Sequence, residues 1–241
     1  MAAQSFAPVV LLTRPAAQSA RFAETLRERV PGLHTVISPL ITPTILSPVL
    51  PDKPWQGVIL TSETGAQAAG RLKAALPPLA FCVGDRTALA ASAAGFTPLS
   101  AQGDAEALLA LILSKAGRPL IHLRGREARG DLAKRLSAHG IETDEAVVYA
   151  QEEQPLTAEA VALLQGQAPV LAPVFSPRTA EILLAECRRI GVAAPLTLAC
   201  LSPAVFAAAG DFPVRRVVAA EPNAESMAET VFKHLAAGQG A

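Results

Sequence analysis

The sequence predicts an α/β protein of two similar parallel-sheet domains, one continuous and one assembled from both ends of the chain. Short apolar runs alternate with helical patterns along the 241 residues, as expected for parallel strands wrapped by helices. The resulting strand–turn–helix units recur in a permuted order. A proline-rich stretch interrupts the chain after a single unit, so the remaining units cannot divide into two sequential halves.

Val9-Val10-Leu11-Leu12 is the first apolar run; it leads into Thr13-Arg14-Pro15 and a helix carrying Phe22 and Leu26. Pro15 suits a helix start, where a missing N–H costs little. Val58-Ile59-Leu60 leads into Thr61-Ser62-Glu63-Thr64 and an alanine-rich helix expected to reach Leu76. Phe81-Cys82-Val83 leads into Gly84-Asp85-Arg86-Thr87 and a helix closed by Gly95-Phe96. Asp104, with Glu106 in the first turn, caps a helix through Leu113. Leu120-Ile121-His122-Leu123 then enters the basic turn Arg124-Gly125-Arg126-Glu127, followed by a helix with Leu132 and Leu136 on one face. Gly140-Ile141 has the form of a glycine C-cap with its hydrophobic partner. A second strand, Ala146-Val147-Val148, is expected to end on Tyr149, the one tyrosine of the chain. Val174-Phe175 leads into Ser176-Pro177-Arg178-Thr179, Cys200-Leu201 into Ser202-Pro203, and Asn223 with Glu225 opens the last helix.

The units match in pairs. Phe175-Ser176 stands 115 residues after Leu60-Thr61, Cys200 118 after Cys82, and Asn223 119 after Asp104. Arg124, Leu132 and Leu136 each stand 110 after Arg14, Phe22 and Leu26. The order is therefore a-b-c-d-a-b-c-d. Prolines at 39, 43, 48, 51 and 54 mark residues 38–54 as an extended linker, which leaves one unit before it. The polar stretch 149–157 is the second linker. Domain 1 is then 1–37 with 158–241, and domain 2 is 55–148. Sequential halves, 1–120 and 121–241, would break the chain where linker composition is missing.

Composition narrows the function. Half the residues are apolar (51%), 17% are charged, and the formal charge is zero, which argues against a protein that coats nucleic acid or an anionic membrane. The opening MAAQSFAPVVLL lacks a basic region and a long apolar run, so a cytoplasmic location is expected. Cys82, Cys187 and Cys200 have no CxxC spacing and read as buried apolar thiols. His34, His122, His139 and His234 have no paired-ligand spacing, so no metal is expected.

Parallel sheets bind ligands beyond the carboxyl ends of their strands. The turns at 13–14, 61–62, 84–87, 124–126, 176–178 and 202–203 each begin a helix and offer free backbone N–H groups. Arg14, Arg124 and Arg178 add positive charge suited to carboxylate or phosphate. Each Ser or Thr taken singly is an N-cap, each arginine a solvated charge, and Tyr149 a packed ring. Recurrence at equivalent positions favours an anion site shared by facing domains. None of the turns is a Walker loop or a GxGxxG fingerprint.

Six segments together resemble the uroporphyrinogen-III synthase family: LLTRP at 11–15, ILTSETGAQA at 59–68, VGDRTA at 83–88, LRGREARGDLAKRLSAHG at 123–140, VVYAQ at 147–151 and VFSPRTAEIL at 174–183. The resemblance implies two flavodoxin-like domains joined by a two-stranded linker, the first domain being discontinuous. It implies cyclisation of hydroxymethylbilane, an octacarboxylate linear tetrapyrrole, to uroporphyrinogen III, with loss of water and inversion of the last pyrrole ring. It implies no cofactor, and a monomer in transient contact with the preceding enzyme of the pathway. Tyr149 would assist departure of the hydroxyl. Thr61, Ser62, Thr87 and Ser176 would hold carboxylates, as would the turn backbones at Gly84, Gly125 and Ser202. Arg14, Arg124 and Arg178 join this set by charge. Two positions depart from the family pattern: Val205 stands where a hydroxyl residue is usual, leaving a backbone role at Ser202, and Glu63-Thr64 replaces a Pro-Arg pair. Rival readings are a non-enzymatic two-domain binder of a polyanionic metabolite and a synthase-like regulator or fused partner.

Overall fold

The computed structural model describes residues 8–115, 117, 119–127 and 130–238. The expectation for Met1–Ala7 and the Ala128-Arg129 part of the resemblance lie outside them. In chain order the elements are β1 (Val9–Leu12), α1 (Ala16–Arg29), β2 (Thr35–Ile37), β3 (Ile41–Ile45), β4 (Gly57–Leu60), α2 (Glu63–Arg71), β5 (Leu79–Cys82), α3 (Asp85–Ala93) and β6 (Thr97–Ser100). They continue with α4 (Ala105–Lys115), β7 (Leu120–Gly125), α5 (Leu132–Ala138), β8 (Thr143–Glu153), α6 (Ala158–Gln165), β9 (Val170–Val174), α7 (Pro177–Ile190), β10 (Leu196–Cys200), α8 (Pro203–Ala208), β11 (Arg215–Val218) and α9 (Ala224–Gly238).

Two compact units form, Met1–Thr42 with Glu153–Ala241 and Pro43–Glu152. The first sheet is ordered β11-β10-β9-β1-β2 and the second β3-β8-β7-β4-β5-β6. In the first, β2-β1-β9-β10-β11 is the 2-1-3-4-5 order of flavodoxin-like sheets. In the second, β8-β7-β4-β5-β6 is the same order once β7 is counted first. The permuted repeat thus yields one topology twice, with β7 equivalent to β1. The pairs β1/β2, β1/β9, β9/β10 and β10/β11 are parallel, as are β4/β5, β4/β7, β5/β6 and β7/β8.

Both faces of each sheet are covered, which is why the strands are nearly continuous apolar runs. In the second sheet Val58, Leu60, Ile121 and Leu123 pack with Ala66 and Ala69 of α2 and Ala91 of α3. Their neighbours Ile59, Phe81 and Leu120 point to the other face, against Leu108 and Ile112 of α4 and Leu132 and Leu136 of α5. The first sheet divides in the same way, Leu11 and Val174 on one side and Val10 and Leu12 on the other. Each buried Val, Leu, Ile or Phe among them contributes about 1.5–3 kcal/mol of hydrophobic stabilisation.

Local signals act where the sequence places them. The Asp104 carboxylate accepts from the N–H groups of Glu106 and Ala107 at 2.9 and 3.1 Å, and Asn223 Oδ1 from that of Ser226 at 2.8 Å. Gly140, at φ +76°, lets the Ile141 N–H reach the Leu136 carbonyl at 3.0 Å, closing α5 in a Schellman motif. Three expectations need correction. The helix after Thr61 stops at Arg71 rather than Leu76; a 3₁₀ turn, Lys73–Ala75, follows, and Pro77 disfavours helical backbone at Leu76. Residues 38–54 are not all open linker, because Ile41–Ile45 forms β3 beside β8. Likewise β8 does not end on Tyr149 but runs on to Glu153, into the stretch expected to be linker.

All three cysteines are buried, at 0–1% exposure, and burial pushes each thiol up to about 11. Among the described residues, no helix is long and apolar enough to cross a membrane. At pH 8 a thiol reagent should label the folded protein at least ~100-fold more slowly than the unfolded chain, because thiolate is scarce and access is closed. Fast labelling of all three thiols under native conditions would contradict the placement of these side chains.

Candidate active site

The centre of the second unit's site is a contact between Tyr149 and Gly125. The β7/β8 register slips between Arg124, paired with Val147, and Gly125, paired with Tyr149, so Val148 is the extra residue of a β-bulge. The bulge turns Val148 and Tyr149 onto the same face of the sheet, where both join the core against α2. The Arg126 N–H donates to the Tyr149 carbonyl at 2.9 Å and continues the pairing past the bulge. The phenol ring lies against Gly125. A Cβ on Gly125 would stand 2.6 Å from Tyr149 Cζ and 2.9 Å from its hydroxyl oxygen. The glycine leaves room for the ring.

The Tyr149 hydroxyl lies 3.1 Å from Ser62 Oγ. Ser62 is the N-cap of α2, and its Oγ accepts from the Gly65 N–H at 2.9 Å. A serine that accepts from an amide still has its own proton to donate. Directed at the phenol oxygen, that proton leaves the phenol O–H free for a ligand. Thr61 precedes Ser62 at the end of β4, and Gly84 caps α3 at the end of β5. Adjacent strands β8, β7, β4 and β5 therefore bring Tyr149, Gly125, Thr61, Ser62 and Gly84 to one end of one sheet. Thr87 is 5% exposed in the first turn of α3.

In the first unit, neighbouring β10, β9 and β1 bring Ser202, Ser176 and Arg14 to the carboxyl end of their sheet. Ser176 caps α7, accepting from the Thr179 N–H at 3.1 Å with the Thr179 hydroxyl 2.8 Å away. Ser202 caps α8 through the Val205 N–H at 3.4 Å, so Val205 serves with its backbone. The arginines are engaged, not bare. Arg14 stacks on Phe175, 4.0 Å from the ring centroid, and its Nε donates to Gln18 at 3.1 Å. Arg178 meets Glu153 at 3.4 Å, and Arg124 meets both oxygens of Glu145 at 3.3 Å. The charges of Arg124 and Arg178 are partly neutralised before any ligand arrives.

Two groups escaped the sequence reading, His122 and Glu145. His122 is buried in β7 with Nε2 3.5 Å from Thr61 Oγ1 and Nδ1 3.4 Å from Glu145 Oε1. Burial holds its pKa below the ordinary value; Glu145 opposes that shift and Arg124 adds to it. The available signal was a polar residue inside the apolar run Leu120–Leu123.

Gly125→Ala should force the Tyr149 ring off its seat. The expected cost is on the order of 1–3 kcal/mol in urea unfolding, as for other overpacked sites. An unchanged stability would mean the ring does not rest on Gly125.

Comparison with known proteins agrees with this architecture. A comparison with curated proteins gives no significant match. The solved structure of uroporphyrinogen-III synthetase from Helicobacter pylori 26695 is similar, with TM-score 0.63 and 16% identity over 94% of this chain and 99% of that one. At such identity it bears on the fold alone. A mutant uroporphyrinogen III synthase from the extremely thermophilic bacterium Thermus thermophilus aligns at 16% identity, over 95% of this chain and 98% of that one, with TM-score 0.46. The family model described as uroporphyrinogen-III synthase HemD matches residues 20–229, most of the chain, and the chain therefore belongs to the uroporphyrinogen-III synthase family.

Proposed function

We propose that this chain is a cyclising hydro-lyase that converts hydroxymethylbilane to uroporphyrinogen III. Family membership gives it a function in tetrapyrrole biosynthesis. The observation that carries the mechanism is the Tyr149 hydroxyl, 3.1 Å from Ser62 Oγ at the carboxyl end of a parallel sheet.

The reaction begins when the terminal hydroxyl of the bilane leaves as water. Tyr149 donates the proton, and the electron pair of the broken C–O bond leaves with the oxygen. Ser62, donating to the phenol oxygen, stabilises the charge that develops there. The resulting azafulvene is attacked by the substituted carbon at the far end of the chain, giving a spiro intermediate. That intermediate fragments and recloses with the last ring inverted, and the released proton returns to the site. An unassisted bilane closes without inversion, so the protein must hold its substrate folded as well as protonate it.

Carboxylates supply the handles for that folding. Thr61 and Ser176 offer hydroxyls, and Ser62, Gly84, Gly125 and Ser202 offer backbone at helix starts or strand ends. Arg14, Arg124 and Arg178 supply charge; Arg14 is held on Phe175, and Glu145 and Glu153 temper Arg124 and Arg178. Thr87, in the first turn of α3, adds a hydroxyl and a helix-start amide to this set. The same reading makes the protein a cytoplasmic monomer that receives its labile substrate by transient contact with the preceding enzyme.

Tyr149→Phe keeps the ring on Gly125 and removes the hydroxyl. Stability should change by no more than about 1–1.5 kcal/mol. Formation of the type III isomer should fall by about 100-fold or more, with type I accumulating. A folded mutant that still makes type III at a near-normal rate would remove Tyr149 from the mechanism. Ser62→Ala should lose about 1 kcal/mol of stability with the helix cap. It should also slow type III formation, and a mutant with lowered stability but full rate would leave Ser62 as a cap alone.

A further inference from the structure

His122 sits in a chain of polar groups that leads to Thr61. Its side chain is 8% exposed, and among the described residues Nδ1 has no well-directed hydrogen bond beyond the 3.4 Å approach of Glu145. The ring faces a cavity of about 180 Å³ beside the ends of β4, β5 and β7. Glu145 of β8 and Arg124 of β7 face it directly. Asp131 and Arg135 line the same cavity from the start of α5, and Arg135 is held by a bidentate pair with Glu106 of α4 at 2.6 Å. Thr61, Val83 and Ala105 supply the uncharged walls.

A neutral imidazole has one donor and one acceptor nitrogen. The carboxylate beside Nδ1 favours a proton there, which makes Nε2 the acceptor. The Thr61 hydroxyl then spends its proton on Nε2 and offers a ligand only lone pairs, which a carboxylate cannot use. Once Nε2 is protonated the bond reverses. Nε2–H donates to Thr61 Oγ1, and the hydroxyl proton turns outward to a carboxylate. Proton and carboxylate therefore favour one another, and linkage makes the effect reciprocal.

We propose that His122 is a positioning residue that couples uptake of one proton to carboxylate binding at Thr61. The inference rests on the polycarboxylate reading of the substrate given above. Burial holds His122 neutral in the free protein near pH 7, so binding takes up the proton and affinity rises as pH falls.

The test is fluorescence titration of the octacarboxylate uroporphyrin I between pH 6 and 8, on the unmodified protein, His122→Gln and Thr61→Val. Affinity of the unmodified protein should weaken as pH rises, by at most about tenfold per pH unit for one proton. His122→Gln presents a fixed amide donor to Thr61, so its affinity should be nearly flat with pH and tighter than the unmodified protein's at pH 8. Thr61→Val should bind weakly, with a flat profile. A pH trend in His122→Gln equal to that of the unmodified protein would overturn the proposal, as would a flat profile in the unmodified protein. Should His122→Gln fail to fold, NMR titration of the His122 ring in the unmodified protein decides the matter. Its midpoint should move to higher pH with uroporphyrin I present; an unmoved midpoint overturns the coupling. The probe is bound and not turned over, so these outcomes stand apart from product analysis of the synthase reading.

Discussion

The seat of Tyr149 on Gly125 is the contact on which the second unit's site depends. It needs three things at once: a bulge to turn the tyrosine inward, a residue without a side chain to receive the ring, and a serine at the head of α2 to meet the hydroxyl. Each comes from a different strand or the turn after it, and parallel order brings them together. The sheet must be parallel for the site to exist, and its strands must be buried on both faces for the sheet to be parallel. The apolar runs therefore determine the chemistry as much as the polar turns do.

Electrostatics in the two units is local and largely compensated. Formal charge is zero, and Arg124, Arg178 and Arg135 meet Glu145, Glu153 and Glu106. Such pairing suits a protein that must release a polyanionic product as well as bind its precursor. Hydroxyls and helix-start amides give direction without a large fixed charge. The proposed catalytic task is one of folding the substrate correctly, which favours many directed contacts over a few strong ones.

Much of this was legible in the sequence because it is periodic or local. The permuted a-b-c-d order predicted the topology, since equivalent units such as Leu60-Thr61 and Phe175-Ser176 carry the same turn chemistry. Helix caps at Ser62, Asp104, Ser176 and Gly140 depend on residues two to five apart and could be read directly. What could not be read depends on tertiary register. The bulge that seats Tyr149 is a property of how β8 meets β7, and nothing in Val147-Val148-Tyr149 announces it. The partners of the arginines and the His122–Glu145 approach join residues from different elements. Lys53, within the expected linker, is similarly tied to Asp144, which also accepts from Trp55 Nε1 at 2.9 Å.

The most direct test of the central claim is the isomer composition formed by the purified protein from hydroxymethylbilane, separated after oxidation to the porphyrins. The account predicts that type III predominates and that type I stays at the small share due to unassisted closure. Type I alone, at the rate seen without protein, would contradict it and leave a two-unit fold that binds without inverting the ring.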